Sequence, residues 1–311
     1  MQLNNVNWIV VVFQKYAKEN EKLVVDIDGR KNKMSLNDNL GTRMKEFYET
    51  IPKTRLMRRC PVAIRVDGKA FHTFTRGFQK PFDPVLVKAM QNTMKYLCEN
   101  VQNCVFGYCQ SDEITLILLD YQTFDTEAWF DYEVQKMCSI VASMATLAFN
   151  RYFSEEIAEY VISKTDKEKI AAGMPKLLSV SLPNEEVSKQ FSIYTKALEK
   201  GAMFDARCFN IPKEEVTNLV YWRQLDAARN SVQMVGQANF SHKELQGKSC
   251  SNIQDMLMEK FGINWNDFPT YLKRGACCVR GAEGWNIDLD MPMLKGDGRK
   301  YLDNLIFIGE Q

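Results

Sequence analysis

Two short apolar stretches that end in acidic residues constrain this chain more than any other feature. The first, residues 62–66, is followed at once by Asp67, which is typical of a buried strand that delivers a carboxylate at its end. The second, residues 105–119, is two apolar runs around an acidic tip at Asp112, which predicts a β-hairpin. If the two strands are neighbours, Asp67 and Asp112 meet at one end of a sheet.

Two carboxylates that close repel each other unless a cation lies between them. Hard oxygen ligands favour Mg²⁺, and Mg²⁺ held by one or two carboxylates commonly grips substrate phosphates. The glycine after the first acid, Gly68, suits a tight turn at which backbone N–H groups can approach a ligand. Ser111 and Glu113 flank Asp112 at the predicted hairpin turn. The sequence therefore predicts a magnesium site that acts on phosphates.

Composition limits the remaining classes of protein. The chain has 311 residues and 45% hydrophobic content, which suits one large domain or two small ones. Its 40 basic and 39 acidic residues leave a net charge of +1, so any nucleic-acid binding must come from a local patch. Nine cysteines without a CxxC pair predict reduced thiols and a cytoplasmic protein, and two histidines argue against structural zinc. No apolar stretch approaches the roughly twenty residues of a membrane span.

The order of predicted elements indicates an α+β fold. Asp83 and Pro84 suit the start of a helix to about Asn100, and apolar residues recur at helical spacing in 130–153. A further strand is predicted over 202–210. The order is β-α-β-β-α-β, the ferredoxin-like pattern, with an antiparallel sheet covered by helices on one face.

Two basic or polar clusters admit two interpretations each. Arg55, Arg58 and Arg59 form either a solvated face or a phosphate-contacting patch. A helix predicted from 213 to about 235 places Arg223, Asp226 and Asn230 on one face, at spacings i, i+3 and i+7. Such a face is either ordinary surface or a contact for RNA or a nucleotide.

Several motifs together resemble the signature of the tRNA-His guanylyltransferase family. Each is weak alone, but they recur in the family's order from about residue 40 to 280, and the set is specific. They are Arg65 to His72 with Lys80 to Asp83, Gln110 to Glu113, Phe204 to Arg207, Trp222 to Asp226, Phe261 to Asn266, and Lys273 with Arg274 and Gly275.

The resemblance implies a polymerase-like palm that adds nucleotides to the 5′ end of RNA. Two Mg²⁺ ions would be held by Asp67, the Gly68 carbonyl and Asp112, one activating the 3′-hydroxyl of the incoming nucleotide and the other gripping a triphosphate. ATP would first adenylylate the 5′ end. Glu113 matches the acid beside the metal ligand and is predicted, with Asp67 and Asp112, to be catalytic; the alternative for Glu113 is an ordinary charge at the hairpin tip. The positions that match nucleotide-contacting residues are Arg65, Lys69, Ala70, Phe71, His72, Lys80, Ser111 and Lys136, and those expected to contact RNA are Arg223, Asp226, Asn230, Lys273 and Arg274.

The same resemblance predicts how the chain is divided. Residues 1–33 form an N-terminal extension, 34–153 the first part of the catalytic palm, and 154–200 a helical or loop insertion. Residues 201–280 complete the palm and supply tRNA-binding helices, and 281–311 form a C-terminal tail. The family also implies a homodimer or homotetramer.

Departures from the family pattern indicate a branch. Ala228 to Ser231 stand where tRNA-His enzymes carry His-Ile-Asn-Asn, and Ile253 to Asp255 where they carry Lys-Asn-Glu. These differences are similar to the bacterial guanylyltransferase-like branch, which repairs 5′-truncated tRNA by template-directed addition of GTP or other nucleoside triphosphates. The alternatives are a tRNA-His enzyme that adds a single G, a palm-type nucleotidyl cyclase, and a non-catalytic RNA-binding relative.

Overall fold

The structure is a computed structural model that describes residues 39–164 and 185–308. The predicted N-terminal extension and part of the predicted insertion lie outside these ranges. The described residues belong to two compact units, one ending at Pro52 and the other beginning at Lys53. In the first unit, helix α1 (Asn39–Met44) continues as a π-helix (Lys45–Glu49), and neither contains a buried residue.

The second unit is built on an antiparallel sheet of six strands. Their order is β4-β1-β3-β2-β5-β6. The first four strands alternate with α3 (Pro84–Asn100) and α4 (Val134–Lys164) in the predicted β-α-β-β-α-β order, which confirms the α+β prediction. The strands are β1 (Val62–Gly68), β2 (Cys104–Gln110), β3 (Glu113–Leu118), β4 (Phe204–Asn210), β5 (Ala276–Gly281) and β6 (Gly284–Asp288).

Helices α3 and α4 cover one face of the sheet as predicted. Asp83 caps α3 by accepting a hydrogen bond from the Leu86 N–H, and Pro84 occupies the first helical position. Alternate residues of β1 (Val62, Ile64, Val66) point into the core beneath these helices. Helix α4 continues past the predicted end at 153 to Lys164, and α5 (Glu185–Lys200) follows it.

The opposite face is covered too, which corrects the prediction of helices on one face. Helix α6 (Lys213–Asn239) packs there through Val216 and Val220. The predicted tail contributes β6 and α10 (Lys300–Ile306), whose Leu302 and Ile306 are buried in the same core. The short helices are α2 (Phe71–Phe74), α7 (His242–Leu245), α8 (Cys250–Phe261) and α9 (Thr270–Arg274), and 3-10 turns occupy Trp129–Tyr132, Trp265–Asp267 and Gly296–Arg299.

The three arginines before β1 hold loops together at the end of the sheet remote from Asp67. Arg55 and Arg58 pair with Asp131. The Arg59 guanidinium donates to the carbonyls of residues 120, 123 and 124. These contacts give the cluster a structural role instead of a phosphate site. None of the helices within 39–164 and 185–308 is long and apolar enough to cross a membrane.

Candidate active site

The two acidic stretches meet at one end of the sheet, as the sequence predicts. Strand β1 pairs with β3, and the register sets Asp67 opposite Glu113. The Gly68 N–H donates to the Asp112 carbonyl at 3.1 Å, so the ladder continues into the turn. Asp67 and Asp112 are therefore fixed relative to each other by main-chain hydrogen bonds.

The hairpin turn consists of two residues, Ser111 and Asp112, and Glu113 is the first residue of β3. Ser111 adopts a positive φ of 51°, the backbone conformation that tight hairpin turns demand. Its hydroxyl donates to the Asp112 carboxylate at 2.9 Å. This bond orients one oxygen of Asp112.

Like charges crowd around Asp67. Burial raises the pKa of its carboxyl, and the nearby carboxylates of Asp112, Glu113 and Asp205 raise that pKa further. Burial also raises the pKa of Asp112, against the opposing effect of its hydrogen bond from Ser111. Arg207 opposes these effects only in part, so the pKa of the Asp67 carboxyl stays raised, and no salt bridge within 4 Å joins Asp67 to a cationic side chain of the described residues.

Glu113, in contrast, has two cationic partners. Its side chain is 7% exposed and lies between two arginines: Arg65 Nη2 is 2.5 Å from Oε2, and Arg223 Nε is 2.7 Å from Oε1. The Arg223 contact is an ion pair without aligned hydrogen-bond geometry. The alternative of an exposed charge at the hairpin tip is therefore wrong for Glu113.

This donor set fits Mg²⁺. Among the described residues, no three His, Cys, Asp or Glu side chains are placed to hold a metal ion together. Two carboxylates without a salt bridge to a described residue remain beside a glycine carbonyl, and Mg²⁺ is commonly bound by one or two carboxylates with substrate phosphates and water completing its shell. Asp67, Asp112 and the Gly68 carbonyl would hold the ion, while Glu113 is occupied by its arginines.

A cavity of about 690 Å³ opens beside the hairpin turn. That volume lies within the range of small-molecule sites. Ser111 and Asp112 form one side, and Met234 and Gln237 of α6 contribute to the rim. Of the residues predicted to contact a nucleotide, the cavity is lined by Ala70, Phe71, His72, Lys80 and Ser111.

The segment after Asp67 turns sharply into α2. Ala70 has a left-handed backbone and precedes the helix, and the Lys69 N–H is bound by the Met203 carbonyl at 2.8 Å. The Phe71 ring is buried, and a Cβ at Gly68 would lie 2.2 Å from it. Glycine is therefore required at 68 by a close approach of the ring.

Lys136 is the predicted nucleotide contact that the fold does not bring to this cluster. It lies in the first turn of α4, which contacts β4 at Cys208 through the Val134 carbonyl. Gly68 pairs with Phe204, at the other end of β4. Asp67 also points toward the opposite face of the sheet. The Lys136 ammonium lies 4.6 Å from the centre of the Phe130 ring.

The residues predicted to contact RNA fall into two environments. Arg223 is buried and contacts both Asp226 and Glu113. Of the three residues predicted to share this face of α6, Asp226, which is partly exposed, and Asn230 therefore remain accessible to RNA. Lys273 and Arg274 lie in α9; Lys273 donates to the Asn266 carbonyl, and the Arg274 carbonyl accepts the Tyr108 hydroxyl.

Two residues near the site were not predicted. Asp205 faces Asp67 across the β1–β4 ladder, and it could have been found because an acid at the start of an antiparallel strand meets one at the end of its neighbour. Arg76 lines the cavity together with His72 and Lys80. Their spacing, i, i+4 and i+8, was a visible basic pattern.

Comparisons with known proteins identify relatives of this chain. The family profile described as tRNAHis guanylyltransferase matches residues 41–212. A bacterial tRNA(His) guanylyltransferase-like protein solved in complex with ATP is 36% identical, covers 86% of this chain and 100% of its own, and superposes with a TM-score of 0.69.

Two further relatives extend the match. A bacterial guanylyltransferase-like protein solved with GTP is 33% identical, with a TM-score of 0.64 over 87% of this chain and 100% of its own. The tRNA(His) guanylyltransferase of Saccharomyces cerevisiae is 23% identical over 75% of this chain and 88% of its own length. With the profile covering more than half of the sequence, the chain belongs to the tRNAHis guanylyltransferase family of nucleotidyltransferases.

Proposed function

We propose that this protein is a template-dependent 3′-5′ nucleotidyltransferase that repairs the 5′ ends of tRNA. One observation carries the proposal: Gly68 and Asp112 line a cavity that has basic side chains on its wall, and Asp67 directly precedes Gly68, with its carboxyl pKa raised by burial and by the nearby Asp112 carboxylate. The bacterial relatives with ATP and GTP bound support nucleoside triphosphates as the ligands of that cavity.

The reaction has two steps. An oxygen of the RNA 5′-phosphate attacks the α-phosphorus of ATP and releases pyrophosphate, which leaves an adenylylated 5′ end. The 3′-hydroxyl of the incoming nucleotide then attacks the 5′-phosphorus and releases AMP. Both steps move negative charge between phosphates, so stabilising that charge is the main task of the site.

The residues of the site divide this task. Asp67, Asp112 and the Gly68 carbonyl would hold two Mg²⁺ ions, which when bound supply Lewis-acid stabilisation to the phosphate oxygens and the attacking hydroxyl. Lys80, His72 and Lys69 are exposed beside the cavity and would contact the triphosphate. Ser111 would bind it from the hairpin turn, next to Asp112.

The RNA would approach over α6 and α9. Asn230, together with Asp226, lies on α6 beside a small cavity that Ser111 also lines. Lys273 and Arg274 on α9 extend the same side of the hairpin, because Tyr108 of β2 bonds to the Arg274 carbonyl. This arrangement supports RNA contacts next to the nucleotide cavity.

Cellular context and assembly belong to the same proposal. All nine cysteines have free thiols, which supports a cytoplasmic protein. We also infer that the active form is a homodimer or homotetramer, in line with the family.

One assay tests the proposal. The purified protein is incubated with Mg²⁺, ATP and all four nucleotides, and with full-length or 5′-shortened tRNA whose opposite strand is varied. We expect a longer RNA whose added nucleotides pair with the opposite strand, and no product from Asp67→Asn or Asp112→Asn. A single G added whatever the opposite base would indicate a tRNA-His enzyme, and a cyclic nucleotide would indicate a cyclase.

A further inference from the structure

Arg223 is the only arginine that is buried in the described part of the chain. Its side chain is 6% exposed and extends from α6 toward the strand that follows the hairpin turn. Its guanidinium lies 2.7 Å from Glu113 and 2.9 Å from Asp226, and its carbon Cζ lies 4.5 Å from the centre of the Trp222 ring. Both carboxylates and the ring fix the side chain in one orientation.

The location of Glu113 explains why two arginines are needed. It follows Asp112 directly and faces Asp67 across the ladder, so it lies beside both acids that would hold a cation. Arg65 binds one of its oxygens and Arg223 contacts the other. A buried carboxylate that loses one partner is left with an uncompensated charge, and here it would be free to turn toward the cation.

We propose that Arg223 is a positioning residue for the metal centre: with Arg65 it clamps Glu113, so that Asp67 and Asp112 alone serve as carboxylate ligands. The proposal rests on the proposed function and assigns Arg223 a role different from RNA contact. Burial supports this role, because a side chain that is 6% exposed and held between two carboxylates is shielded from a phosphate outside the protein.

Direct binding of Mn²⁺, measured by electron paramagnetic resonance on the full chain without RNA or nucleotide, tests the clamp. Arg223→Met frees one oxygen of Glu113, and a third carboxylate should tighten Mn²⁺ binding roughly tenfold, since the charge count of the ligands sets affinity. Adding Glu113→Gln to that variant should return the affinity to within about twofold of wild type. Unchanged or weaker binding in Arg223→Met would overturn the proposal.

Glu113→Gln alone keeps the proposal testable if Arg223→Met fails to fold. Because Glu113 is not a ligand in this scheme, the neutral isostere should leave Mn²⁺ affinity within about twofold of wild type, and a loss of tenfold or more would refute the clamp. Arg229→Met is the matched control, since Arg229 bonds the same Asp226 carboxylate at 2.8 Å but is exposed. It should leave Mn²⁺ binding unchanged; an effect as large as that of Arg223→Met would also count against the proposal.

Kinetics separate positioning from RNA binding. A positioning role predicts that Arg223→Met lowers kcat roughly tenfold or more while the KM for RNA stays within about twofold, and that Arg223→Lys recovers part of the loss. A rise in the KM for RNA with kcat unchanged would assign Arg223 to the RNA. The Mn²⁺ measurements do not depend on RNA extension. A protein that extends no RNA but shows the expected Mn²⁺ affinities would contradict the proposed function and not the clamp.

Discussion

Asp67 and Glu113 face each other across the β1–β3 ladder, yet only one of them has cationic partners. Glu113 lies between Arg65 and Arg223, whereas the neighbours of Asp67 are mainly carboxylates, which Arg207 offsets only in part. Adjacent acids on neighbouring strands thus have opposite electrostatic environments. Glu113 stabilises the packing of α6 on the sheet, and Asp67 is free for the cation that we propose.

The first prediction concerns the stability of the metal-free protein. Asp67→Asn should raise Tm at neutral pH by about 2 °C, because it removes a charge that Asp112 repels; the value allows for the partial exposure of Asp67. Because the pKa of Asp67 is raised in the folded state, the gain in Tm is complete above that pKa. It disappears as the pH falls below the ordinary value of 3.8. Differential scanning calorimetry at several pH values measures it, and a lower Tm at neutral pH would contradict it.

Magnesium should make the wild-type protein more stable than Asp67→Asn. A cation that binds only the folded state raises Tm, and the effect needs the ligands in place. Excess Mg²⁺ should therefore stabilise wild type and leave the Tm of Asp67→Asn and Asp112→Asn unchanged. Equal stabilisation of all three proteins would show that Mg²⁺ binds elsewhere.

The next prediction concerns the packing around Gly68, beneath the site. Gly68→Ala should destabilise the fold by about 1–3 kcal/mol, because the new Cβ overlaps the buried Phe71 ring. Gly281→Ala is the control, since a Cβ there meets the side-chain amide of Asn286 at 3.1 Å and the Gly284 carbonyl at an ordinary contact distance of 3.8 Å. Urea unfolding gives both values. Phe71→Leu in the Gly68→Ala background should recover part of the loss; no recovery would mean that ring contact is not the cause.

The carboxylate of Asp83 joins the cavity wall to α3 and α5. It accepts hydrogen bonds from the Leu86 and Gln79 N–H groups and from the Tyr194 hydroxyl, at 3.0, 2.9 and 2.7 Å. Asp83→Ala leaves all three donors unpaired and should cost about 2–4 kcal/mol, whereas Tyr194→Phe removes one donor and should cost about 1 kcal/mol. Chemical denaturation compares them, and equal costs would count against a shared network.

Nucleotide binding distinguishes two lysines. Lys80 lines the cavity, so Lys80→Ala should raise the KM for ATP roughly tenfold. Lys136 lies on α4 by Phe130, so Lys136→Ala should leave that KM within about twofold. Steady-state kinetics with a 5′-shortened tRNA measure both. A similar rise for Lys136→Ala would mean that this lysine reaches the nucleotide site of another subunit.

The sequence predicted the strands that carry the acids because their patterns are local. The apolar runs around Asp67 and Asp112 identify a strand and a hairpin, and a two-residue turn leaves few alternative pairings. Burial of Glu113 could not be predicted, because it depends on Arg223, which is remote in the chain and whose pattern was equally consistent with an RNA contact. The pairing of these two side chains can be recognised only when the packing of α6 on the sheet is known.

The C-terminal part was missed for a different reason. Strand β6 has no fully buried residue, so it lacks the apolar alternation that signals a strand. Helix α10 is only seven residues long, and two buried side chains, Leu302 and Ile306, give too short a pattern to recognise. Elements of this kind are stabilised by the sheet they join more than by their own sequence.

The bond from the Gly68 N–H to the Asp112 carbonyl has a consequence for how such enzymes diverge. Because the spacing of Asp67 and Asp112, the proposed ligands, is set by backbone pairing, it is established when the central strands pair. Substitutions in the surrounding helices that leave Arg223 in place would then alter which RNA end is accepted while the proposed metal chemistry persists.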